Sequence, residues 1–152
     1  MKNINVLNVE ISYFKKCFDS PRPTTVNLMT FLSSEKHRAA VERVRAVEDK
    51  AERDVLKKSL LPGITPSGVF THRAENGLVK HSRLIAGDVD MKDNPYTPHS
   101  LKAYISGFVN VAYCGLSASG RGIWFLVPIA QPERHKEHFA ALLKQFANEG
   151  IN

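Results

Sequence analysis

Two aspartates stand two positions apart at the end of an apolar segment, LIAGDVD, residues 84–90. Alternate residues of a β-strand leave the same face, so Asp88 and Asp90 can share a hard divalent cation, which prefers carboxylate oxygens. Nucleotidyl transfer needs such a pair, because Mg²⁺ or Mn²⁺ ions hold the attacking and leaving oxygens. Acids at a strand end also serve as caps and turn formers, so the pair alone leaves both interpretations open.

A turn rich in glycine and serine, SASGRG, residues 117–122, lies between two apolar segments. Its backbone N–H groups and hydroxyls can form an anion-binding nest beside a cation, so phosphate is the expected ligand. Trp124, just beyond the turn, can stack on a nucleobase. The alternative is an ordinary hairpin turn whose glycines supply positive φ. The candidate nucleotide-binding residues are Ser117, Ser119, Gly120, Arg121, Gly122 and Trp124.

Several basic side chains flank the aspartate segment. His81 can reach a phosphate, or it can be a structural histidine at a strand start. The cations Arg73, Lys80 and Arg83 can follow a nucleic-acid backbone, which is a hypothesis based on charge alone. One histidine pair, His135 and His138, has i, i+3 spacing but no evident third metal ligand, so we expect it on a solvated helix face.

The segments that carry these residues follow a regular order from residue 84 onward. The first is a buried strand, and a short helix starting at Thr97 or Pro98 follows it. Next come a hairpin of two apolar strands (108–116 and 123–129) and a helix opened by Pro132. This order predicts a split βαβ core of the α+β class, in which the aspartate strand and the hairpin share one sheet.

Gly150 is expected to cap the last helix. A complete split βαβ module continues with another strand, so we expect this chain to be part of a longer protein that supplies it.

The first sixty residues predict an N-terminal strand within 3–14 and a long helix over 34–60. We expect Asp49 to pair with Arg53 on the charged face of this helix. Residues 60–77 contain prolines and glycines that predict a loop with a short strand. The inward-facing residues of the long helix are expected to be Val41, Val44, Val47, Ala51 and Val55.

Composition limits the class of protein. A chain of 152 residues that is 43% hydrophobic can form a single domain, with residues 1–60 preceding a motif-bearing core at 61–152. The net charge of +6 favours polyanionic partners. Cys17 and Cys114 form no CxxC pair, so a zinc site or disulfide framework is not expected. No apolar run approaches the roughly 18 residues of a membrane span, and we expect a cytoplasmic protein.

Four segments in order carry a family resemblance: LPGITPSGVF, HSRLIAGDVD, SASGRGIWFLVPI and HKEHFAALLKQF. Together they resemble the N-terminal domain family of virulence-associated E proteins of mobile genetic elements, related to the archaeo-eukaryotic primase superfamily. The resemblance covers roughly residues 55 to 150. It implies an RRM-like primase-type core in which Asp88 and Asp90 bind catalytic Mg²⁺ or Mn²⁺ and residues 119–122 contact the phosphates of the incoming nucleotide.

The expected function is therefore metal-dependent nucleotidyl transfer in DNA replication, with a nucleoside triphosphate and DNA or RNA as partners. Two departures leave the activity open. Primases of this type often carry a histidine where Trp124 stands, and their third acidic residue would lie on the strand after Asn152. The alternatives are a non-catalytic nucleic-acid-binding module, or a domain that docks a helicase through the helix at 34–60.

Overall fold

The computed structural model describes residues 3–17, 22–92 and 94–152. It mixes helices with antiparallel strands, which confirms the α+β class. The chain forms two compact units, one over Ile4–Ser82 and one over Arg83–Asn152 together with Asn3. None of the helices in the described ranges combines the length and the apolar character that crossing a bilayer requires.

The first unit begins with a 3-10 helix at Ile4–Leu7, so the predicted N-terminal strand starts only at Glu10. A second 3-10 turn lies at Glu75–Gly77. The remaining elements of this unit are β1 (Glu10–Phe14), β2 (Thr24–Asn27), α1 (Leu28–Ser33), α2 (Arg38–Ala46), α3 (Lys50–Leu60), β3 (Gly63–Thr65), β4 (Gly68–Phe70) and β5 (Leu78–His81).

Two antiparallel sheets organise this unit. One has the strand order β2-β1-β3, and β4 pairs with β5 in the other. The buried Ser12 links them, because its hydroxyl donates to the Phe70 oxygen at 3.2 Å and accepts from the Phe70 N–H at 2.8 Å. A fully buried serine is stable only with such partners, so this pair fixes β4 against β1.

The predicted long helix over 34–60 is wrong, because the chain forms the separate helices α2 and α3. Asp49 caps α3 by accepting from the Glu52 N–H at 2.9 Å. Arg53 is buried and donates to main-chain oxygens at the end of α2, so the expected Asp49–Arg53 pair is also wrong. Val55, expected to face inward, is 66% exposed. The sequence pattern also missed α1, for which Asn27 is the N-cap.

The second unit contains the motif-bearing segments. Its strands lie in the order β6-β8-β7, and β8 is antiparallel to both neighbours, so β6 and β7 run parallel on either side of it. This topology is the predicted split βαβ arrangement. The elements are β6 (Leu84–Asp90), α4 (Pro98–Ser106), β7 (Tyr113–Leu116), β8 (Gly122–Pro128) and α5 (His135–Asn148), with a 3-10 turn at Pro132–Arg134.

One face of this sheet is covered by α4 and α5. The strand predicted over 108–116 begins only at Tyr113, after a turn. Thr97 starts α4 with a capping box, as its position before Pro98 predicts. The core on this face includes Ile85, Val89, Leu101, Ile105, Val111, Cys114, Ile123, Phe125, Val127, Ile129, Leu142, Phe146 and Ile151.

Gly150 ends α5, which confirms the predicted cap. Its φ is +75°, and the Ile151 N–H donates to the Phe146 oxygen at 2.9 Å, in a Schellman arrangement. The buried Ile151 then packs into the core of the second unit.

Candidate functional site

The aspartate pair and the glycine-serine turn lie at the same end of the second sheet. In the ladder between β6 and β8, Asp90 is opposite Gly122 and Asp88 is opposite Trp124. Directly opposed residues in such a ladder have Cα atoms about 4.5–5.5 Å apart. The expectation that the aspartate strand and the hairpin are neighbours is therefore confirmed.

Both aspartates leave the sheet on the side away from α4 and α5. Val89 between them is 6% exposed and belongs to the core, whereas Asp88 and Asp90 are exposed. We name this side the aspartate face. Alternate residues of the three strands lie on it: Leu84, Ala86, Asp88, Asp90, Gly122, Trp124, Leu126, Pro128, Tyr113 and Gly115. Leu84 and Leu126 among them are buried.

Local bonds position the end of β6. The Asp90 carboxylate accepts from the Lys92 N–H at 3.2 Å, and the Asn94 side chain donates to the Asp90 main-chain oxygen at 2.7 Å. An ionised carboxylate has about four acceptor sites, and the Lys92 N–H occupies one of them, so capacity remains for a cation.

The turn at 117–122 is a hairpin closed by main-chain bonds. The Gly120 N–H donates to the Ser117 oxygen at 2.9 Å, and Gly120 has a φ of +71°, a conformation that glycine adopts without strain. The Arg121 side chain lies over the turn, with Nη1 3.3 Å from the Ser119 oxygen. The turn thus shows the ordinary hairpin features of the alternative interpretation.

The backbone N–H groups expected to form an anion nest are bonded to serine hydroxyls. The Arg121 N–H donates to Ser119 Oγ at 3.3 Å, and the Gly122 N–H donates to Ser117 Oγ at 3.2 Å. The two hydroxyls lie 3.1 Å apart. These N–H bonds are long, and an anionic oxygen is a stronger acceptor than a hydroxyl. A phosphate can therefore replace the hydroxyls as the acceptor.

Trp124 has an aromatic partner that the sequence interpretation missed. Tyr113 and Trp124 are both partly exposed, and their ring centroids lie 4.9 Å apart. Tyr113 was overlooked because it lies within an apolar run expected to be a buried strand. The alternation of Tyr113 and Gly115 with the buried Cys114 is the signal that places it on the aspartate face.

The predicted basic residues are divided between the units. Arg73, Lys80 and His81 belong to the first unit, whereas Arg83 belongs to the second. The Arg73 guanidinium lies 4.9 Å from the Phe14 ring centroid, and Lys80 pairs with Glu10 at 3.7 Å.

Arg83 has a local structural contact. It adopts a left-handed φ of 66° and donates to the Ala130 oxygen at 2.6 Å. Its guanidinium thus contributes to holding the end of β8 within the second unit.

The metal-ligating residues of the aspartate face amount to two carboxylates. In the described ranges, no group of three or more His, Cys, Asp or Glu side chains could hold a metal ion. Mg²⁺ is commonly bound by one or two carboxylates, with water and substrate phosphates completing its shell. The carboxylates of Asp88 and Asp90 therefore suit a cation that is also bound by the phosphates of a polyphosphate ligand. Of the histidine pair on α5, His138 has a buried Nε2, so the expected solvated face is wrong for this residue.

A comparison with protein families gives one match. The model described as BT4734-like, N-terminal domain, matches residues 55–149, which is more than half of the chain. No curated protein and no solved structure matches the chain. The matched range extends from within α3 to the end of α5, and it includes the aspartate strand and the hairpin. The chain belongs to the BT4734-like N-terminal domain family.

Proposed function

We propose that this chain is a primase-type nucleotidyl-transfer domain of a mobile genetic element, related to the virulence-associated E proteins and the archaeo-eukaryotic primases. The observation that carries the proposal is the opposition of Asp90 and Gly122 across β6 and β8. It brings two exposed carboxylates beside a serine-rich hairpin on one sheet face. Acids for a cation and donors for phosphate are the two groups that polyphosphate chemistry requires.

In this proposal each group has a separate role. Asp88 and Asp90 hold Mg²⁺ or Mn²⁺, which neutralises charge on the phosphates of a bound nucleoside triphosphate. Ser117 and Ser119 turn their hydroxyls toward a phosphate oxygen and release the N–H groups of Arg121 and Gly122 to it. The guanidinium of Arg121 supplies positive charge at the same turn.

The template is proposed to be DNA or RNA, and the compartment is proposed to be the cytoplasm. The net charge of +6 supports a polyanionic partner. Arg83 is the proposed nucleic-acid backbone contact in the unit that carries the aspartates. Arg73, Lys80 and His81 are proposed as contacts of the first unit considered by itself. A helicase domain or protein is proposed as a further partner.

Calorimetric titration of Mn²⁺ with a nucleoside triphosphate tests the site. We expect saturable binding to the native chain and a loss of at least tenfold in affinity for Asp88→Asn/Asp90→Asn, because the amides keep the shape and remove the charge. Glu42→Gln removes an exposed carboxylate from α2 and should bind like the native chain. Equal binding by the native chain and the double variant would overturn the proposal.

A non-catalytic nucleic-acid-binding module is the second candidate, because the Tyr113–Trp124 pair provides aromatic surface on the same face. Metal dependence separates the two functions. A binding module holds a single-stranded oligonucleotide equally well with Mn²⁺ and with a chelator, and it is insensitive to Asp88→Asn/Asp90→Asn.

A further inference from the structure

The aromatic pair lies at the level of the aspartates on the same face. Trp124 is opposite Asp88 on one side and opposite Gly115 on the other. The Tyr113 ring, two residues from Gly115, lies 4.9 Å from the Trp124 ring at an angle of 54°. The carboxylate of Asp88, the indole of Trp124 and the phenol of Tyr113 thus lie side by side on three neighbouring strands.

Gly115 explains how Tyr113 reaches this position. A Cβ built at residue 115 would lie 2.6 Å from Tyr113 Oη and 3.0 Å from Cζ, so the ring lies directly over the glycine. Any larger residue at 115 would push the ring away. The close approach of this ring therefore depends on glycine at residue 115.

The position of the rings relative to the hairpin indicates what they bind. A phosphate at the hairpin lies near Gly122, and Trp124 is two residues further along β8, about 7 Å away at the rise of a strand. If the phosphates of a nucleotide bind at the hairpin, its ribose lies over β8 between Gly122 and Trp124. The base then lies next to the rings of Tyr113 and Trp124.

We infer that Tyr113 and Trp124 form a stacking platform for the base of the nucleoside triphosphate held by the aspartates and the hairpin. The inference rests on the proposed function and names a substrate feature of that site. Stacking on an aromatic ring uses the π-face that every base has, so the platform accepts purines and pyrimidines alike. The ligand class is nucleoside triphosphates in general.

Trp124 is the only tryptophan of the chain, so its fluorescence reports on the platform directly. The probes are inorganic tripolyphosphate, a purine and a pyrimidine nucleoside triphosphate, and a free nucleoside, each with Mg²⁺. We expect saturable quenching by both triphosphates. Tripolyphosphate should displace them in competition without quenching by itself.

The outcomes separate the platform from the phosphate site. Calorimetric binding of nucleotide with no more quenching than tripolyphosphate causes would overturn the platform and leave the proposed function standing. Quenching by the free nucleoside, with no binding of tripolyphosphate, would support the platform and overturn the proposed phosphate site. If neither binding nor quenching is observed, both the platform and the proposed phosphate site are overturned.

Variants test the residues independently of Trp124. Tyr113→Leu and Gly115→Ala should lower nucleotide affinity about tenfold, because a stacked base loses one ring, and both should leave tripolyphosphate affinity unchanged. Tyr113→Phe keeps the ring and should bind nucleotide like the native chain. Tyr104→Leu removes an exposed tyrosine from α4 and serves as the matched control. Native nucleotide affinity in a folded Tyr113→Leu protein would refute the role of Tyr113.

Discussion

The guanidinium of Arg53 donates a hydrogen bond to the main-chain oxygen of Val47 at 3.0 Å, and the same nitrogen donates to Glu48 at 3.0 Å. These bonds hold the first turn of α3 against the main chain that follows α2. Because Arg53 is only 8% exposed, its truncation removes both hydrogen bonds and leaves a gap where its buried side chain packs. We expect Arg53→Ala to lower the free energy of unfolding by about 1–3 kcal/mol.

Urea denaturation followed by circular dichroism measures this change. Arg43→Ala is the matched control, since Arg43 is an exposed arginine on α2 and its loss should change stability by less than about 0.5 kcal/mol. Equal effects of the two substitutions would show that the Arg53 contact contributes nothing.

His37 should make the first unit less stable in mild acid. Burial lowers the pKa of His37 below its usual value of 6.5, and the charge of Lys36 lowers it further. The unfolded chain therefore binds a proton at a higher pH than the folded chain, so stability is complete above about pH 6.5 and falls as the pH drops toward the lowered pKa. His37 also packs against Tyr13 and Phe31.

Urea titrations of the native chain and of His37→Phe, at about pH 5 and pH 8, measure this dependence. Phenylalanine keeps a ring beside Tyr13 but does not titrate. We expect the loss of stability at the lower pH to be smaller in His37→Phe. An unchanged pH dependence in this variant would assign the effect to other groups.

Gly87 lies under the ring of Phe125, its partner in the β6–β8 ladder. A Cβ at residue 87 would lie 2.4 Å from Cζ of this buried ring. We expect Gly87→Ala to destabilise the chain by about 1–3 kcal/mol, because the ring is packed against Phe146 and cannot move freely. Thermal denaturation measures the effect.

A double-mutant cycle isolates the clash between the two residues. In the Phe125→Leu background, Gly87→Ala should lower the free energy of unfolding by clearly less, because the smaller side chain at residue 125 leaves room for the added methyl group. An equal cost in both backgrounds would attribute the loss to the backbone of β6.

Asn94 connects the end of β6 with the last residue of the chain. Its Nδ2 donates to the Asn152 oxygen at 2.8 Å, and its Oδ1 accepts from the Asn152 N–H at 3.0 Å. Asn94→Ala should therefore speed amide hydrogen exchange at Asn152 severalfold. Without these bonds, the local opening that exposes the amide requires less free energy. Mass spectrometry or NMR measures the exchange, and Asn110→Ala serves as the control that should leave it unchanged.

Much of the second unit could be predicted because its signals are local. The capping sequence before α4, the apolar segments of β6 and β8 and the glycine after α5 each specify an element from a few adjacent residues. Their order then restricts the topology to a split βαβ sheet, which sets Asp90 opposite the hairpin. The register itself required the structure.

The errors have tertiary causes. The spacing of valines over residues 34–60 fits one helix, but a buried Arg53 and the Asp49 cap divide it in two. Likewise, the packing of Arg73 against Phe14 depends on residues far apart in sequence. The Tyr113–Trp124 pair joins neighbouring strands, and a pattern within one strand cannot reveal a partner on the next.

The alternation of residues in β6 and β8 also bears on how such a domain can evolve. Asp88, Asp90 and Trp124 lie on one face, whereas Val89 and Phe125 form the core beneath α4 and α5. Substitution of Asp88 or Asp90, whose side chains are exposed, therefore changes the chemistry of this face while leaving the packing of Val89 and Phe125 in place. A lineage in which these two aspartates change retains a folded scaffold, on which the same face can acquire a new ligand.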